Sequence, residues 1–323
     1  MKRQVILLSL ALLLLSGCDS AKHPENSYPL TAGGAYSASL SLDGRFAMIG
    51  SFEFGGHLWD LQDRERLYDW NHVQGGFSDL VASAFSPDSD FAVTATTTDL
   101  VLWQTHNGQP VWFWSSPGEI LDMALSAQGD FALLGLANHT AVYFDVKNGG
   151  IRRTLRHPAR VRSVALSQDG RFALTGADDY IARFWDLETE TLISEQHFDN
   201  IVNRVALSPD GQLAFSAATL SSARLWDTRS GELLHSLSGD ESFITRRLSH
   251  LAARFSADGR QLLTGTASGR VMLWDTETGK YLQSWRVEQR GRMGPVQTGV
   301  YAVGFSSRGK LAIGSNGLLN ELN

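Results

Sequence analysis

The stretch ALSQDGRFALTGADDYIARFWD, residues 165–186, decides the fold. It reads as a strand, a tight turn, a strand, a second turn and a third strand. Phe172 to Leu174 and Ile181 to Trp185 are short, rich in β-formers and bounded by turn residues, which is how strands are written. Both are nearly continuous apolar runs. A strand of this kind is covered on both faces, since one solvated face would give strict polar alternation. Ser167-Gln168-Asp169-Gly170 suits a hairpin whose glycine takes a positive φ. Ser208-Pro209-Asp210-Gly211 repeats the device, with Pro209 presetting φ.

The template recurs along the chain. Its turn serine returns at Ser41, Ser86, Ser126, Ser167, Ser208, Ser256 and Ser306, at spacings of 45, 40, 41, 41, 48 and 50. The end of its third strand returns as Trp59-Asp60, Trp185-Asp186, Trp226-Asp227 and Trp274-Asp275, and in altered form as Trp103-Gln104 and Phe144-Asp145. On these residues the chain resembles the WD40-repeat family, whose unit of about 40–45 residues makes one four-stranded propeller blade. The resemblance implies an all-β, seven-bladed β-propeller over residues 28–323 and a role as a scaffold for other proteins. The Gly-His pair of the family is missing before the first strand, and only isolated histidines such as His157 and His197 stand near that place. The acid of the turn before the third strand is present as Asp179, with Ser268 at that position in the sixth unit.

Residues 1–17 read as a secretory signal: Met1-Lys2-Arg3-Gln4, then a mainly apolar run of eleven from Val5 to Leu15, too short for the roughly 20 residues a bilayer span needs. Leu15-Ser16-Gly17-Cys18 resembles a bacterial lipobox, which implies acylation of Cys18, the single cysteine of the 323 residues. One cysteine excludes an intramolecular disulfide. Asp19 resembles the residue that retains lipoproteins at the inner membrane, so the expectation is a periplasm-facing protein, inner membrane preferred over outer. Residues 18–27 are polar and read as the lipidated N-terminus and a tether. Without Lys2 and Arg3, 26 of the 28 basic residues remain against 34 acidic ones, a net of −8. A nucleic-acid binder would carry a basic domain or stripe instead.

The seventh unit, Val300 to Asn323, stops one strand short. An open ring would leave unpaired edges. The expected closing strand is Tyr28 to Ala32, paired with Leu318 to Leu322, with Pro29 tolerated on an outermost edge.

No HxH or HExxH spacing, G-x-S-x-G elbow, P-loop or dinucleotide fingerprint is present, so no cofactor or metal is expected. Asp178-Asp179 and Glu188/Glu190 occupy turn positions. Two places before the turn serine stand Ser39, Ala84, Ala124, Ala165, Ala206 and Gly304, but Arg254 in unit six. A guanidinium there needs a partner or open water. Asp122, Ser163 and Arg204 share that strand phase. They fit either a structural ion pair or an anion site at the channel mouth. The two longest connections, near 239–249 and 288–298, carry Arg246, Arg247, Arg290 and Arg292; loops on a rigid scaffold are favoured for recognition, and arginines suit an acidic partner. Trp112 and Trp114 share one face of an outer strand, either packing between blades or exposed to a partner. Trp70 and Trp285 read as packing. Two functions follow as expectations: a non-catalytic platform for an envelope protein, or a channel-mouth small-ligand binder or hydrolase of the lactonase-like propeller type.

Overall fold

The computed structural model describes residues 21–221, 223–237, 248–290 and 298–323. Seven antiparallel sheets of four strands each make up the fold. The template blade, the fourth, consists of Val161–Leu166, Phe172–Ala177, Ile181–Asp186 and Thr191–His197, running from the axis to the rim.

The turn serine explains the repeat. Its Oγ accepts the N–H of the residue five places on, from Phe46, Phe91, Phe131, Phe172, Leu213 and Gln261 at 2.8–3.0 Å. Its own hydroxyl donates to the aspartate two places on in five blades, as in Ser167 to Asp169 at 2.5 Å and Ser208 to Asp210 at 2.5 Å. Gly170 completes the turn at φ +74°, a region where a side chain is strained. The aspartate after the tryptophan caps the next turn: Asp186 accepts from the N–H groups of Glu188 and Thr189 at 2.8 and 3.1 Å. Short polar side chains that mimic backbone turns are why these positions persist at fixed offsets.

Apolar side chains of adjacent blades interlock. Leu174 and Phe184 of blade four pack with Val202, Val205 and Trp226 of blade five, all buried. Trp70, Trp226, Trp274 and Trp285 are fully buried. Hydroxyls satisfy several of the indole N–H groups. In blade two His72 Nε2, Thr94 Oγ1 and Trp103 Nε1 form a relay (2.9 and 2.8 Å), and in blade four His157, Thr175 and Trp185 form another (2.9 and 3.0 Å). The lone His157 therefore joins a buried histidine-to-tryptophan network without a Gly-His pair, whereas His197 stays exposed beside Glu195. Trp226 and Trp274 donate to Ser216 and Thr264. In blade one Ile49 stands where the hydroxyl would be, and the Trp59 N–H has no partner among the described residues.

The ring closes through the N-terminal strand. Asn26–Pro29 pairs antiparallel with Leu318–Leu322 in the register Asn26↔Glu321, Ser27↔Asn320, Tyr28↔Leu319 and Pro29↔Leu318. Pairing begins two residues before the expected Tyr28 and ends at Pro29, short of Ala32. Lys22 and Glu25, read as tether, are already bonded to the ring: Lys22 N–H to Ser284 O at 2.9 Å and Glu25 N–H to Glu321 O at 2.8 Å. An outermost strand is wet on both faces, so its composition is that of a tether.

Candidate functional site

The first-to-second and third-to-fourth strand turns emerge at one end of the ring. The second-to-third strand turns and the connections between blades emerge at the other, called here the connection end. Between the two ends runs an axial cavity of about 480 Å³ lined by the innermost strands.

The polar side chains of those strands mostly bind the neighbouring blade. Ser37 Oγ donates to Leu80 O (2.6 Å) and Ser39 meets Ser83 (2.7 Å), joining blades one and two. Asp122 of blade three accepts from Ser163 Oγ at 2.8 Å and Val164 N–H at 3.1 Å in blade four, and from Arg204 Nη1 at 3.2 Å in blade five. Ser163 Oγ in turn accepts the Val205 N–H at 3.2 Å. Asn203 Nδ2 donates to His250 O at 2.6 Å, linking blades five and six. The Arg204–Asp122 ion pair thus sits inside a belt of inter-blade hydrogen bonds. Arg254 reaches past Gly304 to the Leu40 carbonyl of blade one at 2.9 Å, and among the described residues it forms no ion pair. Burial lowers its guanidinium to about 10 despite the opposing pull of Asp43, so it remains charged at neutral pH. Asp122 is the one carboxylate among the lining residues, and no histidine lines the cavity. Among the described residues no group of three or more His, Cys, Asp or Glu is placed to hold a metal ion. Asp178 pairs with Arg162 (2.6 Å) and Asp179 with Arg183 (2.7 Å).

Arg290 is turned inward. Its Nη1 donates to the carbonyls of Ala32 (2.6 Å), Gly33 (2.9 Å) and Asn316 (3.3 Å), and its Nη2 to Thr31 (2.6 Å). These donors bind the closing segment to blade seven, which leaves the planar fork occupied. Arg290→Met should cost about 2 kcal/mol and lower the melting temperature by ~4–8 °C. Arg290→Lys should not restore it, because one ammonium nitrogen cannot reach the carbonyls that the two separate Nη atoms hold; full recovery in a calorimetric scan would contradict the clasp. Arg246, Arg247, Arg292, Cys18 and Asp19 lie outside the described residues.

The tryptophan pair divides. Trp114 Nε1 donates to Val146 O at 2.8 Å, and its ring packs on Phe144, covering the seam between blades two and three. Trp112 is stacked on Trp114 at 6.1 Å and is 45% exposed, with Phe113 exposed on the other face.

A cluster at the connection end escaped the sequence reading. Phe52 and Phe54 flank the tip of the second turn of blade one, and Val73 and Phe77 lie on the connection to blade two. Tyr36 opens the inner strand of blade one just beside them. Phe77 is 67% exposed, and Tyr36, Phe52, Phe54 and Val73 are exposed as well. Tyr36 and Phe52 meet edge to face at 4.0 Å, and Phe54 and Phe77 at 6.4 Å. The segments that carry them, 30–36, 51–55 and 71–81, contain Glu53 and Asp79 but no Lys or Arg. The available signal was Phe-Glu-Phe at a turn where blade four has Asp178-Asp179.

A family model described as WD domain, G-beta repeat matches residues 149–186, 189–227 and 231–275. Each match takes in the outermost strand of one blade and the three inner strands of the next, and each ends on the aspartate that caps the following turn. The seven four-stranded sheets make the fold a seven-bladed β-propeller, and the matches place WD40-type repeats within residues 149–275, which is consistent with a scaffold for protein–protein interaction. No curated protein matches the chain.

Proposed function

We propose that the protein is a lipid-anchored interaction platform that faces the periplasm and holds another envelope protein against the connection end of its propeller, without catalysing a reaction. Acylation of Cys18 supplies the anchor and Asp19 retains it at the inner membrane. The observation that carries the platform reading is the exposed cluster of Tyr36, Phe52, Phe54 and Phe77. Solvated aromatics on a rigid frame lose little entropy on binding and are the residues that dominate interface energetics. Arg246, Arg247 and Arg292, which the sequence carries in the two longest connections, suit an acidic surface of the partner. The axial cavity supports this reading over a channel-mouth hydrolase, because its single carboxylate is tied into the Arg204 ion pair.

Affinity capture from solubilised membranes tests the reading. Phe52→Ser/Phe77→Ser should recover less than about a tenth of the partner held by the wild type, given losses of ≥ 2 kcal/mol at hot spots, with an unchanged melt. Arg246→Glu/Arg247→Glu should also reduce recovery. Equal recovery from wild type and both variants would overturn the platform reading. Cys18→Ser should leave the membrane fraction or stay unprocessed, without acyl mass, and Asp19→Ser should shift the protein outward. Wild type found only in the outer membrane would contradict the role given to Asp19.

A further inference from the structure

The N-terminal segment fixes more than ring closure. Lys22 pairs in parallel with Trp285 of Tyr281–Arg286, the outermost strand of blade six, through Lys22 N–H to Ser284 O and Arg286 N–H to Lys22 O, both at 2.9 Å. The chain then crosses to blade seven, where Asn26–Pro29 becomes the outermost strand. Among the described residues, the first one hydrogen-bonded to the folded body is therefore on the rim, four positions after Cys18. Four residues span at most about 13–14 Å when fully extended.

Resting on the acylation of Cys18 proposed above, we infer that the rim formed by the outermost strands of blades six and seven is held against the lipid headgroups, with blade three farthest from the bilayer. A domain of this size has a radius of gyration of roughly 19 Å, hence a width of about 50 Å, several times the reach of the tether. Free tumbling above the membrane is excluded by that ratio. The rim offers exposed Lys22, Lys280 and Leu282 to the headgroup layer. Charge does not decide the orientation, because Glu25, Glu277 and Glu288 are exposed on the same rim; the shortness of the tether does. Because the Lys22 pairing is parallel, the chain arrives from the Tyr281 side of that strand, away from the connection end. The aromatic cluster is thereby left clear of lipid, open to a partner standing beside the propeller on the same membrane.

The test uses the acylated full chain in phosphatidylethanolamine/phosphatidylglycerol vesicles containing headgroup nitroxide lipid. With the Cys18 sulfur acylated, an introduced cysteine is the sole free thiol. Leu282→Cys on blade six and Ile151→Cys on blade three replace side chains of matching exposure, 48% and 49%, and each is labelled with bimane. Quenching should be at least about threefold stronger at 282 than at 151, given the ~50 Å between opposite rims. A flexible Gly-Ser insert of about 36 residues after Ser20, with a root-mean-square span of ~30–36 Å, should equalise the two. Equal quenching without the insert, in protein that floats with the vesicles and carries acyl mass, would overturn the orientation alone. A difference that survives the insert would contradict the tether as its cause. Protein without acyl mass that does not float would overturn the anchoring reading itself.

Discussion

Between about pH 7.5 and about pH 5 the propeller should lose on the order of 6 kcal/mol of unfolding free energy through three histidines, the buried His157 and His250 and the half-buried His72. Burial lowers His72, His157 and His250 each to about 4, the first cause in every case being loss of hydration for the charged ring. His72 and His157 are also fixed as hydrogen-bond partners of Thr94 and Thr175. His250 packs edge-on against Phe215, and its Nδ1 has no partner among the described residues. In the unfolded chain these rings take up a proton near pH 6.5; in the folded chain they do so near pH 4. Between those values the unfolded state binds more protons, so stability is full above about 6.5 and falls as the pH drops toward about 4. Each ring contributes about 2 kcal/mol of that loss by about pH 5. Asp88, Asp145, Asp186 and Asp227 are held below the usual carboxylate range by hydrogen bonds, so they act at lower pH and do not mask the effect. Urea titrations at the two pH values measure it. Replacing the three histidines by glutamine should lower stability at about pH 7.5 and flatten the pH dependence; a wild-type midpoint unchanged at about pH 5 would contradict the neutral rings.

Removing the closing segment, so that the chain starts at Gly33, should destabilise the ring by roughly 5 kcal/mol and lower the melting temperature by ~10–20 °C. The truncation deletes the pairing of Asn26–Pro29 with blade seven and the fully buried Leu30. It removes the Thr31 and Ala32 carbonyls that Arg290 grips. It unpairs Glu321 from Asn26 and uncovers Leu319. Leu30→Ala keeps the strand and should cost about 2–5 kcal/mol from the cavity alone. A calorimetric scan of the two variants separates strand pairing from core filling, and an unchanged melt for the truncated chain would contradict closure by this strand.

Blade number was legible in the sequence because it rests on short-range chemistry, and closure followed from the strand count of the seventh unit. The turn serine takes the N–H five residues on, and the aspartate after the tryptophan caps a turn, so each leaves a mark at a fixed offset. What was not legible depends on residues far apart in the chain. Three of the four carbonyls that Arg290 grips are more than 250 residues away, and nothing in the 288–298 connection announces it. His72 and His157 reach Thr94 and Thr175 without any Gly-His signature, since only the distance between ring and hydroxyl matters. The start of the closing strand at Asn26 was hidden by its composition, polar because both of its faces are wet. The aromatic cluster is assembled from the start of the inner strand, a turn and a connection, three segments that are apart in the chain.

Site-specific photo-crosslinking in intact cells tests the central claim, that the connection end is where a partner is held. Benzoylphenylalanine placed at Phe77 should give one discrete crosslinked species, and the same group at Ile151 on the far rim should give none. An identical pattern from both positions, or no species from Phe77 in cells that crosslink at Ile151, would contradict it.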